Sequence, residues 1–371
     1  MSRLADLIEE LCPDGVEYKP LDEVAELKRG QSITKKSITP GDIPVIAGGR
    51  KPAYFTSSAN RTGVTIVVAG SGAYAGFVSY WDQPIFVSDA FSVKVNEEIL
   101  VPRFIYHWMC GKQKELYSLK SGGGVPHVYP KDVAKFKCPI PPLEVQREIV
   151  RILDQFTTLE AELEAELEAR RTQYEYYRNQ LLSYDALASR GPVEWVKLKD
   201  IVSMRAGSSI TSKDIATVAD SSHVYPCYGA NGIRGYVSAV TNLDNASIIG
   251  RQGALSGNIS FAEAPFFATE HAVVVTPKVK LVSRWLYHTL IVAELSKYVT
   301  KSAQPGLSVR RLEQVEVLFP SIEEQQRIAD ILDRFDALVN DISSGLPAEI
   351  AARRAQYEYY RDRLLSFPEK K

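Results

Sequence analysis

The chain has no excess of charge of either sign: its 371 residues carry 44 Lys and Arg against 45 Asp and Glu, a formal net charge of −1. That balance excludes a histone-like protein that coats DNA through bulk cationic charge. Long apolar runs are also absent. No stretch approaches the ~20 residues of a membrane-spanning helix, and Met1–Glu10 is charged where a signal peptide needs an apolar segment. Cysteine is sparse. Cys12, Cys110, Cys138 and Cys227 show no C-x-x-C spacing, which argues against a disulfide framework and a zinc site and favours a cytoplasmic chain. Catalytic signatures are missing as well: no P-loop, no N-P-P-Y or D-P-P-F methyltransferase tetrapeptide, no H-E-x-x-H. The five histidines (His107, His127, His223, His271 and His288) form no metal-spaced set. A chain without chemistry of its own is expected. What is present, 45% hydrophobic residues and 10% aromatics, suffices for sizeable cores and rules out wholesale disorder.

The dominant positive feature is an internal repeat. Q-Y-E-Y-Y-R at 173–178 returns unchanged at 356–361, and E-I-V-R-I-L-D-Q-F (148–156) matches R-I-A-D-I-L-D-R-F (327–335). V-E-Y-K-P-L-D-E-V (16–24) pairs with V-E-W-V-K-L-K-D-I (193–201), and L-V-P-R-F-I-Y-H (100–107) with L-V-S-R-W-L-Y-H (281–288). Four collinear blocks make the chain one unit of about 180 residues written twice.

Each copy has two compositional halves. About 15–140 and 192–320 are rich in Gly, Pro, Val, Ile and Tyr, with short apolar runs such as Thr65–Ala69 and Ala272–Thr276 that read as strands. Segments 101–119 and 282–299 have helical spacing and should pack on those strands. His107 and His288, equivalent in apolar helices, read as core or cap residues. Asp89 and Glu270 align, each read as a structural hydrogen-bonding acid.

The second halves, about 143–183 and 322–366, are helical. Leu153, Phe156, Leu163, Leu167, Tyr174, Tyr177 and Leu181 recur at helical spacing. So do Leu332, Phe335, Ile350, Tyr357, Tyr360 and Leu364, apolar seams suited to packing on other helices. A helix from Gln146 to Ser183 would be about 57 Å long. The I-L-D blocks begin at 148 and 327 but the Q-Y-E-Y-Y-R blocks at 173 and 356, so the second region is four residues longer. The surplus contains Ser343-Ser344-Gly345-Leu346-Pro347, which predicts a kink or break with Pro347 restarting the helix. The first copy instead runs through uninterrupted L-E-A-E tetrads from Leu159.

Partitioned by the repeat, the charge is uneven. Residues 15–140 hold 16 basic and 11 acidic groups, and 192–320 hold 13 and 10; residues 141–191 reverse this with 6 and 10, and 321–371 with 8 and 10. Two mildly basic domains thus alternate with acidic helices.

Three loop motifs recur. G-Q-S-I-T-K-K (30–36) and G-S-S-I-T-S-K (207–213) suit either phosphate contacts by hydroxyls and Lys or a Ser-type turn between strands. A-G-S-G-A-Y-A-G (69–76) and G-R-Q-G-A-L-S-G (250–257) share two glycines while their tips differ: Arg251 stands at Gly70, Gln252 at Ser71 and Leu255 at Tyr74. Arg and Gln make bidentate contacts with guanine and adenine edges, whereas a plain Gly-rich hairpin needs only the glycines. K-S-G-G-G-V-P-H-V-Y (120–129) and K-S-A-Q-P-G-L-S-V (301–309), aligned through Lys120 and Lys301, fit a ligand contact or a surface loop equally.

The segment P-P-L-E-V-Q-R-E-I-V-R-I-L-D-Q-F with its L-E-A-E tetrads and R-R-T-Q-Y-E-Y-Y-R-N-Q-L-L-S closely resembles the specificity subunit of type I restriction–modification enzymes. The ending R-R-A-Q-Y-E-Y-Y-R-D-R-L-L-S-F resembles it equally, and the likeness extends over essentially the whole chain. The resemblance implies an α+β fold: a tandem duplication of a mixed α/β target recognition domain followed by a long helix. The two long helices would pack as an antiparallel coiled coil with pseudo-twofold symmetry. The divisions are residues 1–140 (first recognition domain), 141–188 (central helical spacer), 189–320 (second recognition domain) and 321–371 (C-terminal helical spacer).

It further implies a bacterial or archaeal, cytoplasmic subunit without catalysis, reading a bipartite asymmetric site in double-stranded DNA. Two modification subunits would bring S-adenosylmethionine and methylate adenine N6; restriction subunits would add ATP- and Mg2+-dependent translocation and cleavage. This chain itself would bind no cofactor or metal. In the first domain the candidate DNA contacts are Ser32, Thr34, Lys35, Lys36, Arg50, Lys51, Ser71, Tyr74, Lys120, His127 and Tyr129. In the second they are Ser209, Thr211, Lys213, Asn231, Arg234, Arg251, Gln252, Ser256, Asn258, Lys301 and Gln304. The seam residues above are the candidate coiled-coil and partner-subunit positions. The competing reading is a non-catalytic coiled-coil scaffold whose Gly-rich domains bind protein or small ligands.

Overall fold

A computed structural model describes residues 2–33, 38–122, 124–253, 255–300 and 306–370. By contacts the chain divides into two compact units, Met1–Glu164 with Glu349–Lys371, and Ala165–Ala348.

In the first unit, α1 (Ser2–Leu11) precedes β1 (Glu17–Pro20), the short α2 (Leu21–Val24) and β2 (Ala25–Arg29). Six strands follow: β3 (Ile43–Ile46), β4 (Tyr54–Thr56), β5 (Val64–Ala69), β6 (Val78–Asp82), β7 (Phe86–Val87) and β8 (Ala90–Val95). Then come α3 (Pro102–Gly111), α4 (Gln113–Ser118), the short α5 (Pro130–Val133) and β9 (Lys137–Ile140). The strands form an antiparallel sheet β2-β8-β5-β6, a small sheet β4-β3-β7 with a parallel β3–β7 pair, and the antiparallel pair β1-β9. The apolar runs of β5 and β8 explain the layering. Alternate side chains face opposite ways, so Ile66 and Val68 join a core with Phe104, Ile105 and Trp108 of α3, while Val67 packs with Ile46, Ile85 and Val87 under the small sheet.

The second unit repeats the plan strand for strand. Its elements are α7 (Tyr184–Ala188), β10 (Glu194–Lys197), α8 (Leu198–Ile201), β11 (Val202–Ala206), β12 (Tyr225–Gly229), β13 (Gly232–Val237), β14 (Ala246–Gly250), β15 (Ile259–Ala262), β16 (Phe267–Ala268), β17 (Ala272–Pro277), α9 (Ser283–Val292), α10 (Val309–Leu312) and β18 (Glu316–Phe319). The sheets are β11-β17-β14-β15, β13-β12-β16 and β10-β18, the same orders as before. The helices expected over 101–119 and 282–299 are present; in the second unit a 3-10 turn at Leu295–Tyr298 replaces α4.

The spacer helices differ. The first, α6 (Leu143–Leu181), is a single helix of 39 residues, about 58 Å at 1.5 Å per residue. The second is broken: α11 (Ile322–Asn340) ends, and α12 (Leu346–Leu364) begins with Pro347 in its first turn. The break expected at Gly345–Pro347 is present, so one spacer is a single long helix and the other a pair of 19 residues each. The break is built into the four-residue surplus. The Asp341 carboxylate accepts from the Ser343 amide at 2.7 Å and from both serine hydroxyls of the loop, which hold its pKa down at about 2. A Cβ on Gly345 would lie 2.5 Å from the Ala337 carbonyl oxygen, so only glycine lets the turn close on the end of α11.

Each unit carries its own helix pair. In the first, α6 and α12 run antiparallel: Phe156 stacks on Tyr360 at 5.3 Å, and Arg354 bridges Glu160 and Glu164 one turn on. In the second, Tyr174 and Tyr177 of α6 lie against Phe335 of α11 at 6.3 and 5.7 Å. A buried glutamine ties each helix pair to its domain. Gln146 donates to the carbonyls of Ile99 and Pro141 and accepts from the Val101 amide. Gln325 does the same with Pro320 and Val282. The tail after α12 completes the first unit, since Phe367 accepts from the Tyr18 hydroxyl and Val16 exchanges backbone bonds with Pro368 and Lys370.

His107 and His288 are fully buried, as their helical context predicts. Nε2 of His107 lies 2.8 Å from Asp154, which also accepts from Arg103, and Nδ1 lies 2.8 Å from the Tyr357 hydroxyl. The second unit repeats this with His288, Asp333, Arg284 and Tyr174. Burial lowers both histidine pKa values despite the facing carboxylates. Burial would raise Asp154 and Asp333, but the hydrogen bonds from His and Arg win and both are lowered. A neutral His107 donating from Nε2 to Asp154 and accepting at Nδ1 from the Tyr357 hydroxyl satisfies both partners.

Candidate nucleic-acid interface

The Gly-rich hairpin motifs occupy one structural position in the two units. Residues 70–77 join β5 to β6, and 251–258 join β14 to β15. Gly72 and Gly253 have φ of 82° and 84°, Gly76 and Gly257 φ of 89° and 91°. The backbone bonds also coincide: Gly76 donates to Ala69 and Gly257 to Gly250, at 2.7 and 2.8 Å. An identical frame therefore carries different tips. Arg50 of the β3–β4 loop lies over the Tyr74 ring at 5.0 Å in the first unit, whereas Asn258 donates to Asn231 of the β12–β13 turn in the second.

In the first unit several candidate residues converge. Ser32, Ser71, His127 and Tyr129 line one cavity of about 430 Å3 with Arg29 and Asp89. Ser71 bridges to His127, and Val128 donates to the Gly70 carbonyl, which sets the 120–129 loop beside the hairpin. Lys120 donates to the Ala73 carbonyl at 2.9 Å and sits over the Tyr117 ring, so it braces the hairpin from behind. Lys51 is exposed in the β3–β4 loop. Thr34, Lys35 and Lys36 lie outside the described residues.

In the second unit Gln252, Asn231, Asn258, Ser209, Thr211 and Lys213 are exposed, and Arg251 is half-buried. Arg234 of β13 donates to the Ser212 hydroxyl at 2.9 Å, joining β13 to the S-I-T-S loop, while Thr211 is turned onto Asp214. Ser256 is buried with its hydroxyl on the Gly253 carbonyl, so it holds the turn. Lys301 and Gln304 lie outside the described residues.

Two alignments need correction. Ser121 exchanges backbone bonds with His127, and Thr300 occupies the same place against Gly306, so Lys120 and Lys301 are not equivalent. The P-H-V and P-G-L triplets set that register. Likewise Gly70 donates to the Asp89 carbonyl and Arg251 to that of His271, so His271 takes the place of Asp89 and Glu270 is an inserted residue. Asp89 is exposed, while Oε1 of Glu270 lies 3.4 Å from Nε2 of His271 and its Oε2 is buried without a partner.

The sequence reading missed a basic patch: Lys297, Arg310 and Arg311 line an open cavity of about 680 Å3 with Tyr298 and Ser308. The signal was the Arg310-Arg311 doublet in the first turn after the Ser308 helix cap. Arg29 and Lys131 were missed in the first unit, lying over the Tyr129 ring at 5.6 and 5.8 Å. Guanidinium and ammonium groups beside an aromatic ring and hydroxyls suit phosphate and base contacts together.

The seam candidates are largely consumed within the chain. Leu153 and Leu332 are fully buried, Tyr174 and Ile350 nearly so, and Leu163, Leu167, Leu181, Phe335, Tyr357, Tyr360 and Leu364 half-buried. Among the described residues no group of His, Cys, Asp or Glu gathers as a metal site, and no helix is long and apolar enough to cross a membrane.

The chain matches the family described as type I restriction modification DNA specificity domain over residues 13–169 and 191–352. It is 35% identical to the EcoprrI type I restriction enzyme specificity subunit of Escherichia coli, covering 92% of this chain and 93% of the relative. It is 30% identical to the EcoR124I/EcoR124II specificity subunit of the same species, over 99% and 98%. Among solved structures, a type I S subunit from M. genitalium superposes with a TM-score of 0.65 at 19% identity, over 95% of this chain and 96% of the other. That likeness shows the fold.

Proposed function

Because the chain belongs to the type I restriction–modification DNA specificity family, we propose that it reads a bipartite, asymmetric site in double-stranded DNA, one unit per half-site. It is the specificity subunit of such an enzyme and not itself catalytic; methylation and cleavage lie with other subunits. Two modification subunits dock on the chain and carry S-adenosylmethionine, and restriction subunits supply the ATP- and Mg2+-dependent steps. The divisions at 1–140, 141–188, 189–320 and 321–371 describe two readers and two spacers.

The observation that carries this reading is the duplicated hairpin frame with unlike tips. Matching glycine conformations keep the backbone constant, while Gly70, Ser71 and Tyr74 give way to Arg251, Gln252 and Leu255. A tandem pair in one chain frees each reader to diverge, which a symmetric dimer on a palindromic site cannot do. The mild basicity of each recognition half suits weak intrinsic DNA affinity, with partner subunits closing on the duplex.

Filter-binding titration of the chain assembled with its modification subunits tests this. Affinity should fall steeply with salt as counterions are released, and site-containing DNA should outcompete random DNA. A coiled-coil scaffold would show neither.

A further inference from the structure

Four residues of the second unit that are close along the backbone bonding each carry a buried side-chain atom without a hydrogen-bond partner: Nε of Arg251, Oγ1 of Thr269, Oε2 of Glu270 and Nδ1 of His271. The side chains of Glu270 and His271 as a whole stay 40% and 42% exposed. Folded chains pair nearly all buried polar atoms, so unpaired ones in neighbouring residues call for an explanation: strain, a bound water or ion, or a functional contact. The backbone here is well satisfied. Arg251 donates to the His271 carbonyl at 3.0 Å and accepts from Leu307 at 2.9 Å, and Thr269 donates to Tyr228 at 2.9 Å. Glu270 and His271 thus form a two-residue turn between β16 and β17 that backbone bonds hold against the β14–β15 hairpin.

The other copy lacks this group. Ser88 donates to Ile46 as Thr269 does to Tyr228, and Ala90 accepts from Gly30 as Ala272 does from Gly207. Between these anchors the first unit has Asp89 alone, and the second has Glu270 and His271. Opposite them stands Gly70 in the first unit and Arg251 in the second. The insertion and the arginine occur together at adjacent ladder positions.

Their chemistry is complementary. Arg offers donors only, an ionised Glu acceptors only, and His can do either. Major-groove edges require that mixture: guanine shows two acceptors, and the exocyclic amines of cytosine and adenine donate. We propose that Glu270, steered by His271 at 3.4 Å, is a specificity-determining residue of the second unit that accepts from an exocyclic base amine next to the guanine held by Arg251. This rests on the DNA-reading function above and adds a second reading side chain to it.

Sequencing of methylated sites made by the full complex tests the idea with Glu270→Gln, Glu270→Ala and His271→Ala beside Arg251→Ala. Glu270→Gln should relax a single base position of one half-site, losing about 5- to 150-fold in discrimination, and leave the other half-site and the gap unchanged. Relaxation at a cytosine identifies the N4 amine, and at an adenine the N6 amine. His271→Ala should weaken the same position. Unchanged specificity in both Glu270 variants, with Arg251→Ala relaxing its half-site, overturns the inference while leaving the DNA-reading function intact. Loss at both half-sites overturns it too, and a parent complex without any bipartite motif overturns the function itself.

Discussion

The Tyr357 hydroxyl lies 2.8 Å from Nδ1 of His107, although the two residues are 250 positions apart and belong to opposite copies of the repeat. The arrangement is reciprocal: Tyr174, from the first copy, reaches His288 of the second at 3.3 Å. Each recognition domain is therefore secured by the Q-Y-E-Y-Y-R tyrosine of the other copy. Neither half of the sequence makes a complete unit alone.

Tyr357→Phe should destabilise the first unit by about 1–2 kcal/mol, because Nδ1 of a buried histidine loses its donor. Tyr174→Phe should cost less, since its hydroxyl lies at 3.3 Å from His288 and 3.4 Å from Asp336, longer than the Tyr357–His107 bond. Urea unfolding curves of the two variants would show the difference as unequal midpoint shifts.

Acid should loosen both domains. The folded state keeps His107 and His288 neutral, with pKa values lowered by burial. As pH falls below about 6.5 the unfolded chain takes up protons first, so stability declines with acidification. Asp154 and Asp333 add to this at lower pH: their contribution is present above about 3.9 and is lost as pH falls through their lowered folded values. Denaturation midpoints measured from about pH 8 to 5 should drop for the parent chain, and the decline should be blunted in a His107→Gln, His288→Gln double variant.

The hairpin glycines separate two kinds of cost. A Cβ on Gly253 meets nothing within 4 Å, so Gly253→Ala pays only for its φ of 84°, about 1–2 kcal/mol. Gly257→Ala adds a clash, with Cβ 2.6 Å from the Ser296 nitrogen, and should be worse. Binding assays on sites mutated in one half should show both variants losing affinity for one half-site only.

A further L-E-A-E tetrad placed after Leu167 should lengthen α6 by about 6 Å. Four residues turn a helix by about 400°, so the apolar seam returns to within roughly 40° of its register. The unread gap between half-sites should widen by about one or two base pairs at ~3.4 Å each. Methylated-site sequencing that returned the parental gap would contradict a role for α6 as a spacer.

Much of this was legible in the chain. The repeat predicted two units with matching strands, the I-L-D and Y-H blocks marked the buried histidine sites, and Gly345-Leu346-Pro347 marked the helix break. These features are local, set by period, caps and backbone conformation. The exchange of Tyr174 and Tyr357 between copies was not legible, because identical Q-Y-E-Y-Y-R blocks carry no record of which histidine each one meets. The Glu270 insertion was hidden for a similar reason. A one-residue difference within a turn moves no flanking motif, and the backbone bonds of Thr269, His271 and Ala272 show which residue is the extra one. Arg310 and Arg311 were overlooked since a short basic run resembles any solvated face until Lys297 is brought beside it.

The most direct measurement is sequencing of methylated sites in cells expressing the assembled complex with either the parent chain or Arg251→Ala. The parent should yield one asymmetric motif of two half-sites at a fixed gap, and the variant should relax or abolish the reading of one half-site, by about 1–3 kcal/mol if Arg251 holds a guanine. An unaltered motif, or equal loss at both halves, would contradict one reader per half-site.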